Sequence, residues 1–258
     1  MPLRSITLNS ISRYRWLLVC GLSLLATNAF AKQTIIFAAA DGIAVTADLF
    51  PANADAAKDT TIVLFHQARS SRGEYSEIAP KLVAWGYSVL AVDQRSGGSN
   101  AGVRNQTRVA AQNAGAGTGF LDARQDLLAA VGYARSVIQA ERVVVWGSSY
   151  SASLVLSLAG ETPDWVDGVL AFSPGEYFRG ELSVAGAAGT IAVPTFVTSA
   201  AAEWGNWSGI RSAIPVGQLS AFRPQGKGRH GSSTLLPVSS SATQEYWKAV
   251  EGFLGRHF

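Results

Sequence analysis

The fold is decided by a single stretch, Val143-Val144-Val145-Trp146-Gly147-Ser148-Ser149-Tyr150-Ser151. Its continuous apolar run predicts a buried strand, and the small polar residues after it predict a tight turn into a helix. A serine at such a turn is typical of a nucleophile elbow, which needs small neighbours because its backbone is strained. Ser151 stands where Gly is more common, and it still lets the turn close. The alternative is a Ser-rich loop whose hydroxyl caps the helix.

Apolar runs and helical patterns alternate on both sides of this turn. Runs that are apolar on both faces indicate parallel strands covered by helices, so the alternation predicts a doubly wound, mostly parallel α/β sheet. The predicted strands are Thr61–Phe65, Tyr87–Val92, Arg142–Trp146, Val166–Phe172, Val193–Thr198 and Leu219–Phe222, and the predicted helices are Tyr75–Trp85, Leu121–Ile138, Ser151–Ala159 and Gln244–Leu254.

The chain before these elements predicts an antiparallel hairpin. Thr34–Phe37 and Val45–Phe50 are short β-type runs that flank Asp41-Gly42, a dipeptide that favours a tight turn. Further along, segment 99–119 is rich in Gly, Ala and Asn and is too long for a simple connection. We interpret it either as a mobile flap near an active site or as a surface insertion.

A serine near neutral pH attacks only if an imidazole accepts its proton. The sequence has three histidines. His230 follows the last predicted strand and precedes the final helix, so we expect it to be the base. His66 ends a strand before the serine and is expected to orient its loop. His257, beside the C-terminus, is expected to be solvated.

The imidazole in turn needs a carboxylate that fixes its tautomer and stabilises its charged form. The chain order Ser, acid, His places this group between Ser149 and His230. Glu203 is preferred because it follows the strand Val193–Thr198. Glu176, after the preceding strand, is the rival, and either carboxylate could instead hold a loop.

Negative charge that develops on a substrate oxygen needs backbone N–H donors. Tyr150 is one predicted donor, because amides at a helix N-terminus are unpaired and the helix dipole favours an anion there. The other donor is expected in the loop after Thr61–Phe65, from Ala68 or its neighbour Gln67.

Three stretches of the chain resemble known loop motifs and follow one another in the same order as those motifs. The first is Leu64-Phe65-His66-Gln67-Ala68. The second is Gly86-Tyr87 leading into Val92-Asp93-Gln94-Arg95-Ser96-Gly97-Gly98-Ser99, and the third is the turn around Ser149. They follow the H-G-x loop, the D-x-R-G-x-G-x-S loop and the serine elbow of the α/β-hydrolase family. The chain resembles that family over residues 43 to 258, and most closely its dienelactone-hydrolase-like and carboxylesterase-like members. Gln67 departs from the usual Gly, which bears on the first oxyanion donor.

The resemblance implies a serine hydrolase that cleaves an ester through an acyl-enzyme, with Ser149, Glu203 and His230 as its triad and no cofactor. A thioesterase or peptidase of the same fold is an alternative. A catalytically silent protein that uses this fold to bind a ligand is another. No cluster of His, Asp and Glu has metal-ligand spacing, so no metal site is expected.

The substrate is expected to be a small-molecule or polymer ester. Aromatic side chains on loops after strands are candidates to line its pocket, although such residues more often serve packing. These candidates are Trp204, Trp207, Tyr177 and Phe178.

The first 31 residues predict a signal peptide. Three arginines precede the apolar stretch Trp16–Ala26, and Ala29-Phe30-Ala31 offers the small residues of a cleavage site. The α/β-hydrolase domain is then residues 32–258, in the periplasm or secreted, with no stable membrane association. The apolar stretch is shorter than the roughly 20 residues that span a bilayer. A lipid on Cys20 is the minor alternative.

The net charge and the cysteine content bear on which partners and covalent links are expected. Removing the leader lowers Lys plus Arg from 21 to 18, which equals the 18 Asp plus Glu, so the mature domain is formally neutral. The basic whole-chain pI therefore gives no reason to expect a nucleic-acid partner. The one cysteine, Cys20, leaves with the leader, so the mature domain has neither a disulfide nor a thiolate metal site.

Overall fold

The architecture comes from a computed structural model, which describes residues 32–178, 180–237 and 242–258. The predicted signal peptide lies outside the described residues. The strands are β1 Gln33–Ala38, β2 Ala44–Phe50, β3 Thr60–Phe65, β4 Ser88–Val92, β5 Ser99–Asn100, β6 Val103–Arg104, β7 Arg142–Ser148, β8 Gly168–Phe172, β9 Thr195–Thr198 and β10 Leu219–Phe222. The α-helices are α1 Ile78–Ala84, α2 Gln106–Asn113, α3 Arg124–Ser136, α4 Tyr150–Glu161, α5 Val184–Ala188, α6 Ser208–Ala213 and α7 Thr243–His257.

Eight of these strands form one sheet in the order β1-β2-β4-β3-β7-β8-β9-β10. The hairpin strand β2 pairs antiparallel with both β1 and β4. Every pairing from β4 to β10 is parallel. The predicted doubly wound, mostly parallel sheet with an N-terminal antiparallel hairpin is therefore confirmed.

The strands are buried on both faces, which explains their continuous apolar runs. Val63 and Val145 point to the face that α3, α4, α5 and α6 cover, whereas their neighbours Leu64 and Trp146 point to the face that α1 and α7 cover. Each Val or Leu side chain in these layers contributes about 1.5–3 kcal/mol when it is fully buried. The two apolar layers hold the sheet rigid between them.

The predicted elements are present with shifts at their ends. The predicted helix Leu121–Ile138 is helical over Arg124–Ser136, and the segment Tyr75–Trp85 divides into two elements. Only Ile78–Ala84 is α-helical, and Arg72–Tyr75 forms a separate 3₁₀ turn. Pro80 lies in the first turn of α1, where a missing N–H leaves no intrahelical bond unmade, so the helix starts close to it.

Segment 99–119, interpreted from its sequence as a mobile flap or a surface insertion, has regular secondary structure of its own. It contains the β5–β6 hairpin and α2, which begins after Asn105, whose side chain accepts the N–H of Arg108. Thr107 is fully buried and accepts the N–H of Thr46, so α2 packs on β2. The helix has few apolar residues, and its sequence therefore lacks the apolar stripe that predicts a helix.

The topology places the functional residues at one edge. Because the carboxyl ends of parallel strands meet at the same edge of a sheet, the loops after β3, β4, β7, β8, β9 and β10 all open there. No helix in the described ranges is long and apolar enough to cross a membrane.

Candidate active site

The turn between β7 and α4 has the backbone geometry of a nucleophile elbow. Ser149 has φ 61° and ψ −124°, a left-handed conformation that is strained for a residue with a side chain. Its N–H donates to the carbonyl of Phe172 at 2.8 Å. A Cβ at Gly147 would collide with the backbone of Ser151, so this position requires glycine.

Ser151, the departure from the usual glycine, ties the elbow to two neighbouring loops. Its hydroxyl donates to the carbonyl of His66 at 2.6 Å and accepts the side-chain amide of Gln94 at 2.6 Å. All three residues are fully buried. The Ser151 hydroxyl therefore has its hydrogen bonds formed within the fold and holds the elbow against the two loops.

The structure brings together the three residues that the sequence singled out. His230 Nε2 lies 2.7 Å from Ser149 Oγ, and His230 Nδ1 lies 2.7 Å from Glu203 Oε1. Ser149 is 7% exposed, so most of its surface is covered by the surrounding loops. An Nδ1–H that donates to Glu203 leaves Nε2 free to accept the serine proton.

The electrostatics of the pair suit a base and its supporting carboxylate. The hydrogen bond to Glu203 raises the pKa of His230 above its ordinary value, although partial burial opposes the shift. Burial by itself would raise the pKa of Glu203, but hydrogen bonds from His230 and Ser173 outweigh it, and the pKa lies below its ordinary value. Glu203 is therefore ionised across the range in which His230 titrates.

The rival carboxylate, Glu176, is engaged elsewhere. Its two oxygens accept the N–H groups of Val184 and Ala185 at 2.9 and 2.8 Å, at the start of α5. It thus holds a helix N-terminus, where a negative charge is favourable. Glu203, and not Glu176, contacts the histidine.

Ser173, which the sequence reasoning missed, connects the acid and histidine loops. Its hydroxyl donates to Glu203 Oε2 at 2.6 Å and accepts the N–H of Gly231 at 2.9 Å. Its φ of 58° is a second strained backbone at this edge. A signal was present, because Ser173 directly follows β8 at the edge where the other loops meet.

The backbone N–H groups of the two predicted oxyanion donors are available to a ligand. The N–H of Gln67 donates to Glu74 Oε2 at 2.8 Å and is therefore occupied. The N–H of Ala68 donates to no group in the described part of the chain. Tyr150 is the first residue of α4, where an N–H has no intrahelical acceptor. Of the two candidates in the first loop, Ala68 has the free donor.

Glu74 is a second residue that the sequence did not reveal. It is 4% exposed, and its Oε1 has no hydrogen-bond partner. Burial raises the pKa of Glu74 above its ordinary value. Through the N–H of Gln67, this carboxyl group fixes the loop that presents Ala68.

His66 has the orienting role expected from the sequence. Its Nδ1 contacts the carbonyl of Gln67 at 2.8 Å, and its Nε2 faces the N–H of Gln94 and the amide of Asn105 at 3.0 and 3.1 Å. Complete burial lowers the pKa of His66, so the ring is neutral. His257 was expected to be solvated. It is instead half-buried against Phe253, with ring centroids 5.0 Å apart.

Ser149 and His230 open into a cavity of about 550 Å³. Its other lining residues come from the loops after β3 and β4, from α2 and from the segment that follows it. They are Gln67, Ala68, Arg69, Ser96, Arg108, Thr118, Gly119 and Phe120. A larger cavity, of about 710 Å³, lies between β10 and α7 and contains neither Ser149 nor His230.

The four aromatic candidates divide into two pairs. Tyr177 and Phe178 line a smaller cavity of about 270 Å³ that shares Phe120 with the cavity at Ser149. Trp207 is 1% exposed and donates to Ser199, and Trp204 packs edge-on against it. The two tryptophans therefore serve packing. In the described ranges, no group of three or more His, Cys, Asp or Glu side chains could hold a metal ion.

A strained serine, hydrogen-bonded to a histidine at the carboxyl edge of this sheet, defines the class of serine hydrolases with the α/β-hydrolase fold. A family model described as Hydrolase_4, serine aminopeptidase S33, matches residues 56–207. The chain belongs to this family. A search of curated protein sequences finds no match.

Several solved structures share the fold. An esterase of Pyrococcus furiosus is 18% identical, with a TM-score of 0.66 over 88% of this chain and 93% of that chain. A dienelactone hydrolase of Anabaena variabilis is 13% identical, with a TM-score of 0.64 over 88% of this chain and 98% of that chain. Est1E of Butyrivibrio proteoclasticus, solved with ferulic acid bound, is 14% identical, with a TM-score of 0.62 over 86% and 98%.

Proposed function

We propose that this protein is an esterase that hydrolyses a carboxylic ester through an acyl-enzyme on Ser149. The observation that carries the proposal is the 2.7 Å contact between His230 Nε2 and Ser149 Oγ, on a ring whose Nδ1 is held by Glu203. This arrangement activates a hydroxyl, which is otherwise a weak nucleophile. Esterases and a dienelactone hydrolase among the structures of the same fold support an ester as the substrate.

In the first half of the reaction, Ser149 Oγ attacks the ester carbonyl while its proton passes to His230 Nε2. Glu203 stabilises the imidazolium that forms. The negative charge on the carbonyl oxygen is stabilised by the N–H groups of Ala68 and Tyr150. The tetrahedral intermediate then collapses, the bond to the alcohol oxygen breaks, and the alcohol leaves with the proton from Nε2.

In the second half, water replaces the alcohol. His230 takes a proton from the water as its oxygen attacks the acyl carbon, and the same two N–H groups stabilise the oxyanion. Collapse breaks the bond to Ser149 Oγ, which recovers its proton from His230. The carboxylic acid leaves, and the enzyme returns to its starting state.

The proposal is tested by hydrolysis of p-nitrophenyl butyrate by the wild type and by Ser149→Ala. We expect kcat to fall by several orders of magnitude, because the change removes the attacking oxygen. Ser157→Ala is a matched control, since Ser157 is buried in α4 and its hydroxyl has no partner. Retention of more than about a tenth of wild-type kcat in Ser149→Ala would contradict the proposal.

We further propose that the protein is exported and that cleavage occurs between Ala31 and Lys32. The small residues before Lys32 support this site. β1 begins at Gln33, so cleavage there leaves every strand of the sheet intact. The mass of the protein recovered from the periplasm or medium tests the proposal. A mass that includes a lipid on Cys20 would contradict it.

A further inference from the structure

The cavity at Ser149 is lined by positively charged side chains and by no negatively charged ones among the described residues. Two arginines, Arg69 and Arg108, line it beside Ser149 and His230, and none of the described residues that line it is acidic. Neither arginine forms an ion pair within the described ranges. The cavity that contains the nucleophile is therefore lined by two guanidinium groups without an ion-pair partner among the described residues.

Arg69 occupies a position that folding alone does not explain. It lies in the loop after β3 with φ 62°, a left-handed conformation that favours glycine or asparagine. Its side chain is exposed and bonds to no group in the described part of the chain. The residue strains the backbone, and its guanidinium group forms no hydrogen bond or ion pair with the described residues in return.

Arg108 is also poorly placed for stability. It lies in the first turn of α2, where the helix dipole disfavours a cation. Its Nη1 donates to the carbonyl of Gly97 at 2.9 Å, which leaves the other N–H groups of the guanidinium unused. The arginine in the loop after β4 behaves differently, since Arg95 forms ion pairs with both Asp41 and Asp126.

We propose that Arg69 and Arg108 bind a carboxylate group carried by the ester substrate, beside the bond that Ser149 attacks. This inference rests on the proposed esterase function. Guanidinium groups bind carboxylates through paired, charge-assisted hydrogen bonds. Phe120, which stacks on Tyr150 with centroids 4.3 Å apart, supplies an apolar wall of the same cavity for the carbon skeleton.

The same charges oppose the other substrate class that the family description raises. The free amino terminus of a peptide has a pKa near 8 and is largely cationic at neutral pH. Two arginines beside the nucleophile repel such a group, and the cavity offers no described acidic side chain to bind it. The substrate class that fits is thus an ester that keeps a free carboxylate: a half-ester of a dicarboxylic acid, or a phenolic acid acylated on its phenol oxygen.

Two pairs of substrates, each differing only in charge, test this inference. In the first, p-nitrophenyl hemisuccinate is compared with p-nitrophenyl isocaproate, which has the same shape without the charge. In the second, p-carboxyphenyl acetate is compared with p-carbamoylphenyl acetate. The measured quantity is the ratio of kcat/KM for the charged ester to that for the neutral one, so intrinsic reactivity cancels between variants.

We expect this ratio, in at least one pair, to fall by about tenfold or more in the double variant Arg69→Gln/Arg108→Gln. The reason is that each hydrogen bond between a guanidinium and the carboxylate contributes binding free energy equivalent to about tenfold or more in affinity. The wild-type ratio should also fall as salt is raised. Arg104→Gln, which changes an arginine on β6 that does not line the cavity, should keep the wild-type ratio.

An unchanged ratio in the double variant, or a proportional loss on both esters of each pair, would overturn the inference. If the enzyme hydrolyses neutral and charged esters alike, only the charge preference is wrong. If the wild type hydrolyses none of the four esters and Ser149 does not react with a fluorophosphonate, the proposed esterase function is wrong as well.

Discussion

Two histidines at the same edge of the sheet lie in contrasting surroundings. On the N-terminal wall of the site, defined by His66, Gln94 and Asn105, every residue is at most 1% exposed. On the C-terminal wall, defined by Glu203 and His230, the two side chains are 24% and 42% exposed. Burial lowers the pKa of His66, whereas its carboxylate partner raises the pKa of His230.

The contrast shows how one residue type serves structure in one place and chemistry in another. A neutral, fully bonded His66 holds its loop and has no ring nitrogen free to accept a proton. His230 is open to solvent and is paired with a charge, so it can gain and lose a proton near neutral pH. Changes on the N-terminal wall should therefore cost stability, and changes on the C-terminal wall should cost activity.

The largest effect is expected from Glu203→Gln on the C-terminal wall. A neutral amide cannot stabilise the imidazolium, so we expect kcat to fall by about 10³ to 10⁴-fold while the fold is retained. Glu176→Gln is the matched control and should keep kcat, with a loss of stability of about 1 kcal/mol at the start of α5. The reverse pattern in steady-state assays of the two variants would identify Glu176 as the acid.

The next effect concerns the support behind the N-terminal wall. Arg95 and Asp126 are 2% and 0% exposed, and their side chains are 2.8 Å apart. We expect Asp126→Asn to lower the free energy of unfolding by about 3 kcal/mol or more, because it leaves a buried charge under-compensated. Asp59→Asn, at the exposed pair with Arg142, should cost less than about 1 kcal/mol.

Urea denaturation of both variants measures this difference. In the material that remains folded, Asp126→Asn should keep much of its kcat, because neither residue of the pair contacts the reacting groups. Equal losses of stability in the two variants would contradict the assignment of the buried pair as a support.

The smallest effect is a shift in the pH profile. His230 must be neutral to accept a proton, so kcat/KM should rise with pH, with a midpoint above the ordinary histidine value of about 6.5. Because Glu203 raises the pKa of His230, Glu203→Gln should move the midpoint of its residual activity to lower pH. A midpoint that does not move would mean that Glu203 does not set the charge state of His230.

The sequence was sufficient for the sheet, its hairpin and the proximity of Ser149 and His230, and it left the acid open between Glu203 and Glu176. The reason is that apolar runs locate the strands, and parallel strands bring their following loops to one edge. It was insufficient for Glu74, which lies in a 3₁₀ turn and reaches the site only through the N–H of Gln67.

Arg69 and Arg108 escaped prediction for a related reason. Their meeting at one cavity depends on how α2 packs against β2, and α2 lacks an apolar stripe. A pattern along the chain reports which residues are buried by regular elements. It does not report how irregular loops fold over the site.

The central claim is that His230 and Glu203 activate Ser149, and covalent labelling with a fluorophosphonate tests it most directly. Such a probe reacts with an activated serine by losing fluoride as the serine oxygen bonds to phosphorus. Intact mass and peptide mapping of the wild type should give one adduct per chain, on Ser149, and none in Ser149→Ala. An unlabelled wild type, or an adduct on another serine, would contradict the account.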